Sequence, residues 1–352
     1  MREQTWLSKI MFFFNIVLTV LTFLAYSLPF LAPKAFPFLS VLTLILPLFL
    51  ILNFFFFVYW LLQFKRYMLL SGLVLLLGIT FINRFYKFSE TNLQKEESDF
   101  TLMSYNVRLF NLYEWLPKDD VPEQISKLID EKNPDILCLQ EFSPNERVNT
   151  TMFPHSFVKL YGGKNKYGQA IYSNYKMIEK GEIQFPNTSN NVIYADILKG
   201  NDTLRIYSMH LQSIKISTDI HEKLDEEKSK FIFKRISEAF KQQQQQSELI
   251  KDHYSSCSYP KIICGDMNNS AFSYVYSNIK GEMTDAFQQA GQGFGESYNF
   301  KYYPARIDYV FVEDAFIVKE FVTDNQVKLS DHFPVFTRLK KIESVATNPS
   351  KK

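Results

Sequence analysis

The feature that most limits what this chain can fold into is a set of three uncharged stretches near its start: residues 10–32 (IMFFFNIVLTVLTFLAYSLPFLA), 36–64 and 67–82. The first two are long enough to cross a hydrocarbon core of about 30 Å, and the third is shorter. All three are apolar all round rather than along one stripe, which suits lipid and not the surface of a soluble domain. Pro29, Pro37 and Pro47 are tolerable there as ends or kinks. A cleaved secretory signal is the rival for the first stretch, but no small-x-small cleavage site follows it and two more apolar stretches do. Residues 1–88 are therefore expected to form an anchor of about three transmembrane helices, with the lipid bilayer as partner through residues 10–82. In a three-span anchor Arg2, Lys9, Lys65 and Arg66 share one side, and Lys34, Arg84 and Lys87 the other. This small bias keeps the N-terminus inside and puts the large C-terminal part outside, so an integral, multi-pass protein with an extracytoplasmic domain is expected. If the third stretch does not cross, that domain returns to the cytoplasm.

The remainder reads as one soluble domain. Of 39 basic and 37 acidic residues, seven basic and one acidic fall in the first 88, which leaves 32 against 36 and a net charge of −4. A slightly acidic domain argues against an extended groove that tracks a phosphate backbone, since such a groove needs a basic footprint. Cys138, Cys257 and Cys264 are odd in number and form no Cys-x-x-Cys or Cys/His cluster, so neither a disulfide framework nor a zinc site is indicated. Cys138 and Cys264 lie in apolar strand-like runs and are expected as core thiols. The boundaries follow from composition: 89–99 as a polar linker, 100–341 as the folded domain, 342–352 as a disordered tail.

Within the domain, FTLMSYNVRLF alternates like a strand, DDVPEQISKLIDEKNP carries one apolar helical face behind Pro122, and DILCLQEF is a buried strand. Short strands follow, then a long helical stretch over roughly 219–254, then strands again. The helical stretch contains KQQQQQSEL, a low-complexity run expected on a solvated face. Strands dominate with helices interleaved, which predicts an α+β sandwich of two facing sheets with helices outside.

Polar residues recur where these strands end: Asn106 in SYNVR, Glu141 in LQEF, His210 in SMHLQS, Asp266 and Asn268 in GDMNN, Asp308 in RIDYVF, and Asp331 with His332 in LSDHFPV. One such ending is ordinary turn chemistry. Six in one domain suggest convergence on one edge. Glu141, Asp331 and Asn106 offer hard oxygens suited to Mg²⁺ or Mn²⁺. His210 and His332 can contact a phosphate or move a proton near neutral pH. Asp266 can take a proton from water, Asn268 can orient that carboxylate or stabilise charge without adding more, and Asp308 can hold His332 in one tautomer.

SYNVR, LQE, HLQS, GDMNNS, RIDYVF and SDHFPV, in this order, resemble the endonuclease/exonuclease/phosphatase superfamily of metal-dependent, deoxyribonuclease-like phosphoesterases. The resemblance spans roughly residues 100–340 and none of the anchor. It implies a four-layer α/β/β/α sandwich with its site at one edge of the two sheets. It also implies roles: Glu141 as principal metal ligand with Asn106 and Asp331 nearby, Asp266 as the base that activates water, Asn268 as a phosphate contact, Asp308 and His332 as a hydrogen-bonded pair at the scissile phosphate, and His210 as a second phosphate-contacting histidine. Tyr298 and Arg306 lie where the superfamily often places site-adjacent residues.

The expected activity is hydrolysis of a phosphoester by a membrane-anchored, divalent-metal-dependent phosphodiesterase or phosphatase. The motifs identify the reaction and leave the substrate open between a lipid head group and nucleic acid, so a nuclease is the alternative. An inactive member acting as a binding scaffold is the alternative of another class, and it requires a lost core position where none is lost. No protein partner is indicated.

Overall fold

A computed structural model of the chain describes residues 5–163, 166–214 and 226–342. The anchor comprises α1 (Trp6–Ala25), α2 (Pro37–Val41), α3 (Leu46–Leu62), α4 (Met68–Leu77) and α5 (Ile79–Phe85). Two stretches, Trp6–Phe30 and Pro37–Leu62, are each long and apolar enough to cross a membrane. The third expected span, 67–82, is not one straight helix: α4 and α5 meet at 69°. The break has a local cause. Tyr26 donates its hydroxyl to the Val74 carbonyl at 2.8 Å and lies 2.1 Å from where a Cβ on Gly78 would be, so only glycine fits at the bend. Buried amides tie the helices together, with Asn15 donating to Ser71 at 2.6 Å and Asn53 to Thr22 at 2.8 Å. Such bonds pin apolar helices to one another at defined positions.

The domain holds two six-stranded sheets. One runs β11 (Phe316–Thr323), β12 (Val335–Lys341), β1 (Phe100–Asn106), β2 (Ile136–Phe142), β4 (Tyr167–Ser173) and β3 (His155–Tyr161). The other runs β5 (Lys176–Gln184), β6 (Asn191–Lys199), β7 (Asp202–His210), β8 (Lys261–Asp266), β10 (Asp308–Val312) and β9 (Thr284–Asp285). Each sheet is antiparallel except at its centre, where β1 pairs with β2 and β7 with β8 in parallel. Parallel neighbours need a crossover, supplied by α6 (Val121–Lys132) in the first case and α7 (Glu226–Ser255) in the second. The inner faces meet in a core that includes Leu102, Cys138, Ile206, Cys264 and Val310, so both strand cysteines are buried free thiols. Outside, α6 covers the first sheet, and α7 with α8 (Tyr274–Lys280) covers the second; α9 (Ala286–Ala290) packs near β11. The result is the expected α+β sandwich with helices on both outer faces.

Two expectations change. The linker does not hang free between anchor and domain. Asp99 is buried with Lys319 and Arg338 at 3.1 Å, and Arg338 also donates to Asn92 and to the Leu93 carbonyl. The segment is thus strapped along β11 and β12. The glutamine run is not a solvated face either: Gln243, Gln244 and Gln246 are buried, and their amides serve as hydrogen-bond junctions. Gln244 accepts the backbone N–H of Lys34 at 2.8 Å and so ties α7 to the anchor. The first part of the expected long helix, 219–225, and the tail beyond Ile342 lie outside the described residues.

The anchor packs on the domain rather than standing off it. Ala25, Leu28, Leu46, Leu50 and Phe81 share an apolar cluster with Phe272 of the domain. Phe38 lies against Phe233 with ring centres 5.2 Å apart, and Arg306 donates to the Arg84 carbonyl.

Candidate active site

Sheet register explains why residues far apart in sequence come together. His210 pairs with Asp266 across β7 and β8, and Asp308 pairs with the same Asp266 across β8 and β10. Register partners project to the same face of a sheet, so the three side chains form one row. In the facing sheet the parallel pairing sets Asn106 beside Gln140, with Glu141 the next residue. The two edges touch where Asn106 Nδ2 donates to Asp266 Oδ2 at 3.1 Å and, less closely, to Glu141 Oε1 at 3.3 Å.

Asp266 is buried and held on both oxygens. Its Oδ1 accepts the backbone N–H of Asn268 at 2.8 Å, and its Oδ2 accepts Asn268 Nδ2 at 2.9 Å. This is Asx-type turn chemistry. The Asn268 amide also donates to the Leu211 carbonyl at 3.0 Å. Both its amide hydrogens are thus engaged within the protein, so Asn268 orients Asp266 here and leaves no side-chain donor for a phosphate. Gly265, just before, has φ +121° and no room for a side chain: a Cβ would fall 2.2 Å from the Met209 carbonyl. Burial holds the Asp266 carboxyl above the usual carboxylate range; Asp308 and Glu141 add to this, while His332 opposes it.

His332 Nδ1 lies 2.9 Å from Asp308 Oδ2, and both are buried. Burial alone lowers a histidine pKa, but Asp308 and then Asp266 outweigh it and hold His332 at about 10. At neutral pH His332 is therefore an imidazolium beside Asp308. The His332 ring also packs edge-on against Tyr298, with ring centres 4.9 Å apart. His210 behaves oppositely: burial first, and the nearby His332 charge second, lower it to about 4. Its ring is neutral, so its 3.7 Å approaches to Glu141 and Asp266 are not ion pairs. Its Nε2 is buried without a hydrogen-bond partner and faces both carboxylates.

Glu141 sits at a bulge. Between Leu139 and Phe142, β2 advances three residues while β4 advances two. The extra residue is Glu141 itself, with φ +46°, an uncommon conformation for a side-chain-bearing residue. Its side chain is about a third exposed. Behind Asn106, the four residues Arg108, Leu109, Phe110 and Asn111 all have positive φ, between 42° and 61°. Each such residue costs roughly 1–2 kcal/mol. The turn is held by Arg108 N–H on Asn106 Oδ1 at 3.1 Å and by the Asn111 side chain on Leu116 and Lys118. Backbone strain of this kind gathers at functional sites.

The donor chemistry fits a divalent cation. Asp266, Asp308 and His332 offer ligand atoms within 4.8 Å of one another, and Glu141 and Asp331 add two carboxylates against the single guanidinium of Arg108. Within that group Asp308 and His332 are already closed on each other, whereas Glu141 is open on one side. The expected ligands Asn106 and Asp331 are both engaged. Asn106 presents its NH₂ to the carboxylates because its oxygen accepts Arg108 N–H; Asp331 faces Arg108 at 3.4 Å. Arg306, considered as a site residue, instead binds Asp285 through Nη1 at 3.1 and 2.8 Å and lies between the Phe287 and Tyr309 rings. It is a structural joint.

Sequence reasoning missed two supports. Arg108 follows Asn106 closely and stacks over Trp115 at 4.5 Å while facing Asp331. Gln243 donates to the Gln212 and Asn268 carbonyls at 2.7 and 3.0 Å and accepts from Asn269 Nδ2 at 2.6 Å, which fixes the loop that carries Asn268. A signal for it was present: positions 243, 247, 250 and 254 continue one buried helical stripe into Ile250 and Tyr254.

A family model described as "Endonuclease/Exonuclease/phosphatase family" matches residues 103–332, well over half of the chain, and one described only as a domain of unknown function matches residues 8–85. No curated protein matches the sequence significantly. Solved structures share the fold. An endonuclease/exonuclease/phosphatase from Beutenbergia cavernae is 16% identical, with a TM-score of 0.53 over 70% of this chain and 72% of that one. The human Nocturnin catalytic domain with bound sulfate is 16% identical, with a TM-score of 0.53 over 73% and 97%. D. rerio TDP2 complexed with a single-strand DNA product is 16% identical, with a TM-score of 0.52 over 70% and 100%.

Proposed function

Because this chain belongs to the endonuclease/exonuclease/phosphatase family, we propose that it is a membrane-anchored, divalent-metal-dependent hydrolase of phosphoester bonds. The observation that carries the reading is the row His210–Asp266–Asp308 meeting Asn106 and Glu141 across the two sheets. Members of the family are generally hydrolases of phosphoesters, and the residues here suit that reaction.

Asp266 is the base. Held by Asn268 and Asn106, it accepts a proton from water as the water oxygen bonds to phosphorus and the P–O bond to the leaving alcohol breaks. Burial makes its ionised form a stronger proton acceptor than an exposed carboxylate, and the three N–H donors on its oxygens favour that ionised form. The His332 imidazolium, positioned by Asp308, places positive charge where the phosphoryl oxygens gain negative charge. His210, being neutral, offers Nε2 to a phosphate oxygen without adding charge. Glu141, with Asp331 in support, is the residue placed to hold Mg²⁺ or Mn²⁺, and Asn106 keeps Glu141 and Asp266 in register. When bound, the cation neutralises phosphate oxygens and favours the ionised form of a water. No side chain need act as a covalent nucleophile.

The anchor is read as 1–88 and the domain as 100–341, joined by the strapped segment 89–99. Phe12 and Trp60 pack on Tyr67 at one end of the helices, while Tyr26 and Phe81 meet the domain at the other. The chain thus leaves α5 at the end opposite its start, which supports three crossings and an extracytoplasmic domain. Reporter fusions at the N-terminus and after residue 342 test this: the same side for both refutes it.

The chemical test uses the purified full-length protein and bis-p-nitrophenyl phosphate with Mg²⁺ or Mn²⁺. Turnover should vanish with chelator and with Asp266→Asn; turnover indifferent to both refutes the reading. A nuclease is the second reading, favoured by the fold shared with TDP2 and opposed by the acidic balance of the domain. Metal-dependent nicking of plasmid, steeply reduced by salt, would support it.

A further inference from the structure

We propose that the substrate is a membrane lipid phosphodiester, taken from the bilayer that holds the anchor. Its hydrocarbon part would occupy a cavity between the anchor and the site, and its neutral, hydroxyl-rich head group a separate polar groove at the same site. This rests on the hydrolase reading above and adds the substrate class.

The first observation is the cavity, of about 300 Å³. Its walls are Leu44 of the anchor with Ile214, Ile232, Ile236, Phe300 and Tyr303 of the domain. Its inner end is formed by Asn268 and Tyr298, the residue that orients Asp266 and the ring that packs on His332. Its volume is at the low end for small-molecule sites, and a mostly apolar wall, with Ser213, Asn269, Ser270 and Arg306 as its polar part, suits hydrocarbon. Leu44 belongs to the stretch Pro37–Leu62, which is apolar enough to cross a membrane. One wall of the cavity is therefore part of the membrane segment itself.

The second observation is a separate, polar groove at the same centre. A groove of about 660 Å³ begins at Glu141 and His210. It is walled by amides and hydroxyls, among them Gln169, Asn187, Thr188, Asn190 and Gln212. Among the described residues that line it there is no lysine or arginine. Among the described residues that line the groove, phosphates of a polynucleotide on either side of the reacting one would meet no cation. Neutral donors and acceptors suit a sugar, inositol or glycerol group. Ser213 borders both groove and cavity; Asn268 and Tyr298 of the cavity touch Asp266 and His332, and His210 of the groove pairs with Asp266. An apolar arm and a polar arm meeting at a phosphoryl site describe an amphiphilic ester.

The third observation lies at the surface around the cavity. Phe231 and Tyr302 are each 63% exposed, and Tyr302 and Tyr303 cluster on Phe300 with ring centres 5.3 and 5.0 Å away. Phe231 lies at the same end of α7 as Phe233 and Ser237, which touch Phe38 and the Pro37 carbonyl where the second span begins. Exposed aromatics at that level suit the membrane–water interface.

The reaction consumes one water, breaks one P–O ester bond, and yields an alcohol and a phosphomonoester. The test compares phosphatidylinositol and phosphatidylglycerol in bilayer nanodiscs holding the full-length protein with their deacylated, water-soluble counterparts, at the same Mg²⁺ concentration. At least one lipid should exceed its deacylated form by about 100-fold or more in kcat/KM, because binding energy from the remote chains is used at the reacting centre. Ile236→Trp, which fills the cavity, should lower the ratio of lipid turnover to bis-p-nitrophenyl phosphate turnover by about tenfold or more. Ile232→Trp, one turn earlier, serves if the first variant does not fold. Equal rates on lipid and deacylated esters, or a cavity variant that slows both substrates alike, overturn the inference while the hydrolase reading stands. Plasmid cleaved faster than any lipid overturns it in favour of a nuclease. Loss of metal-dependent turnover on every ester sinks both.

Discussion

Gln243→Leu is the sharpest perturbation of the support beneath the site. Leucine has similar bulk and no amide. Gln243 is fully buried and makes three hydrogen bonds, to the Gln212 carbonyl, the Asn268 carbonyl and the Asn269 amide. At about 1 kcal/mol net for each, the loss is about 3 kcal/mol, and more if the stranded groups stay dry. In a domain of this size 1 kcal/mol shifts the thermal midpoint by about 2–4 °C, so the expected fall is roughly 6–12 °C. The loop that carries Asn268 also loses its fixed position, and with it the aim of Asp266, so kcat/KM should drop by roughly 10- to 100-fold. The assay is thermal unfolding of the full-length protein followed by near-UV circular dichroism, with turnover measured beside it. Gln245→Leu, on the exposed side of the same helix, is the control and should stay within about 2 °C of the parent. If the two variants melt together, the glutamines are a solvated face after all and the reasoning fails.

Other outcomes follow from the same geometry. Glu141→Gly, which keeps the left-handed backbone and removes the carboxylate, should weaken Mn²⁺ binding at least tenfold by calorimetry; unchanged binding would move the cation elsewhere. His332 is raised above its ordinary value, so its contribution to stability is complete below pH about 6.5 and is lost as pH rises through about 10. Asp308→Asn removes the main cause of that rise, so the variant's midpoint should fall less than the parent's between pH 7 and 10; parallel curves would contradict the pairing. Arg306→Met leaves Asp285 buried without its guanidinium and should destabilise by about 3–5 kcal/mol in denaturant titration. A small change would mean that Tyr276, which also donates to Asp285, suffices.

Some of this protein follows from local order along the chain. Runs without charge as long as a bilayer is thick mark helices long and apolar enough to cross one. Alternation and apolar runs mark strands, and a polar residue that ends several such strands marks an edge. Those signals are carried by neighbours in sequence, so the apolar helices, the sandwich and the strand-end positions of Asn106, Glu141, His210, Asp266, Asp308 and His332 could be read without coordinates. Which of them touch could not. The row of His210, Asp266 and Asp308 depends on the register of three strands, and the Asn106–Asp266 contact depends on how one sheet lies on the other. Register and packing are set by hydrogen bonds and burial between segments far apart, which no local pattern encodes. The same holds for charge. His210 and His332 are the same residue type, yet one is neutral and the other protonated, because one has only burial and a neighbouring cation and the other has Asp308 within hydrogen-bond reach. A glutamine run looks polar in a list and is a buried scaffold in the fold, because α7 turns that side toward the loop it must hold. The meeting of Leu44 from the N-terminal helices with Asn268 and Tyr298 around one cavity is likewise a property of the folded chain alone.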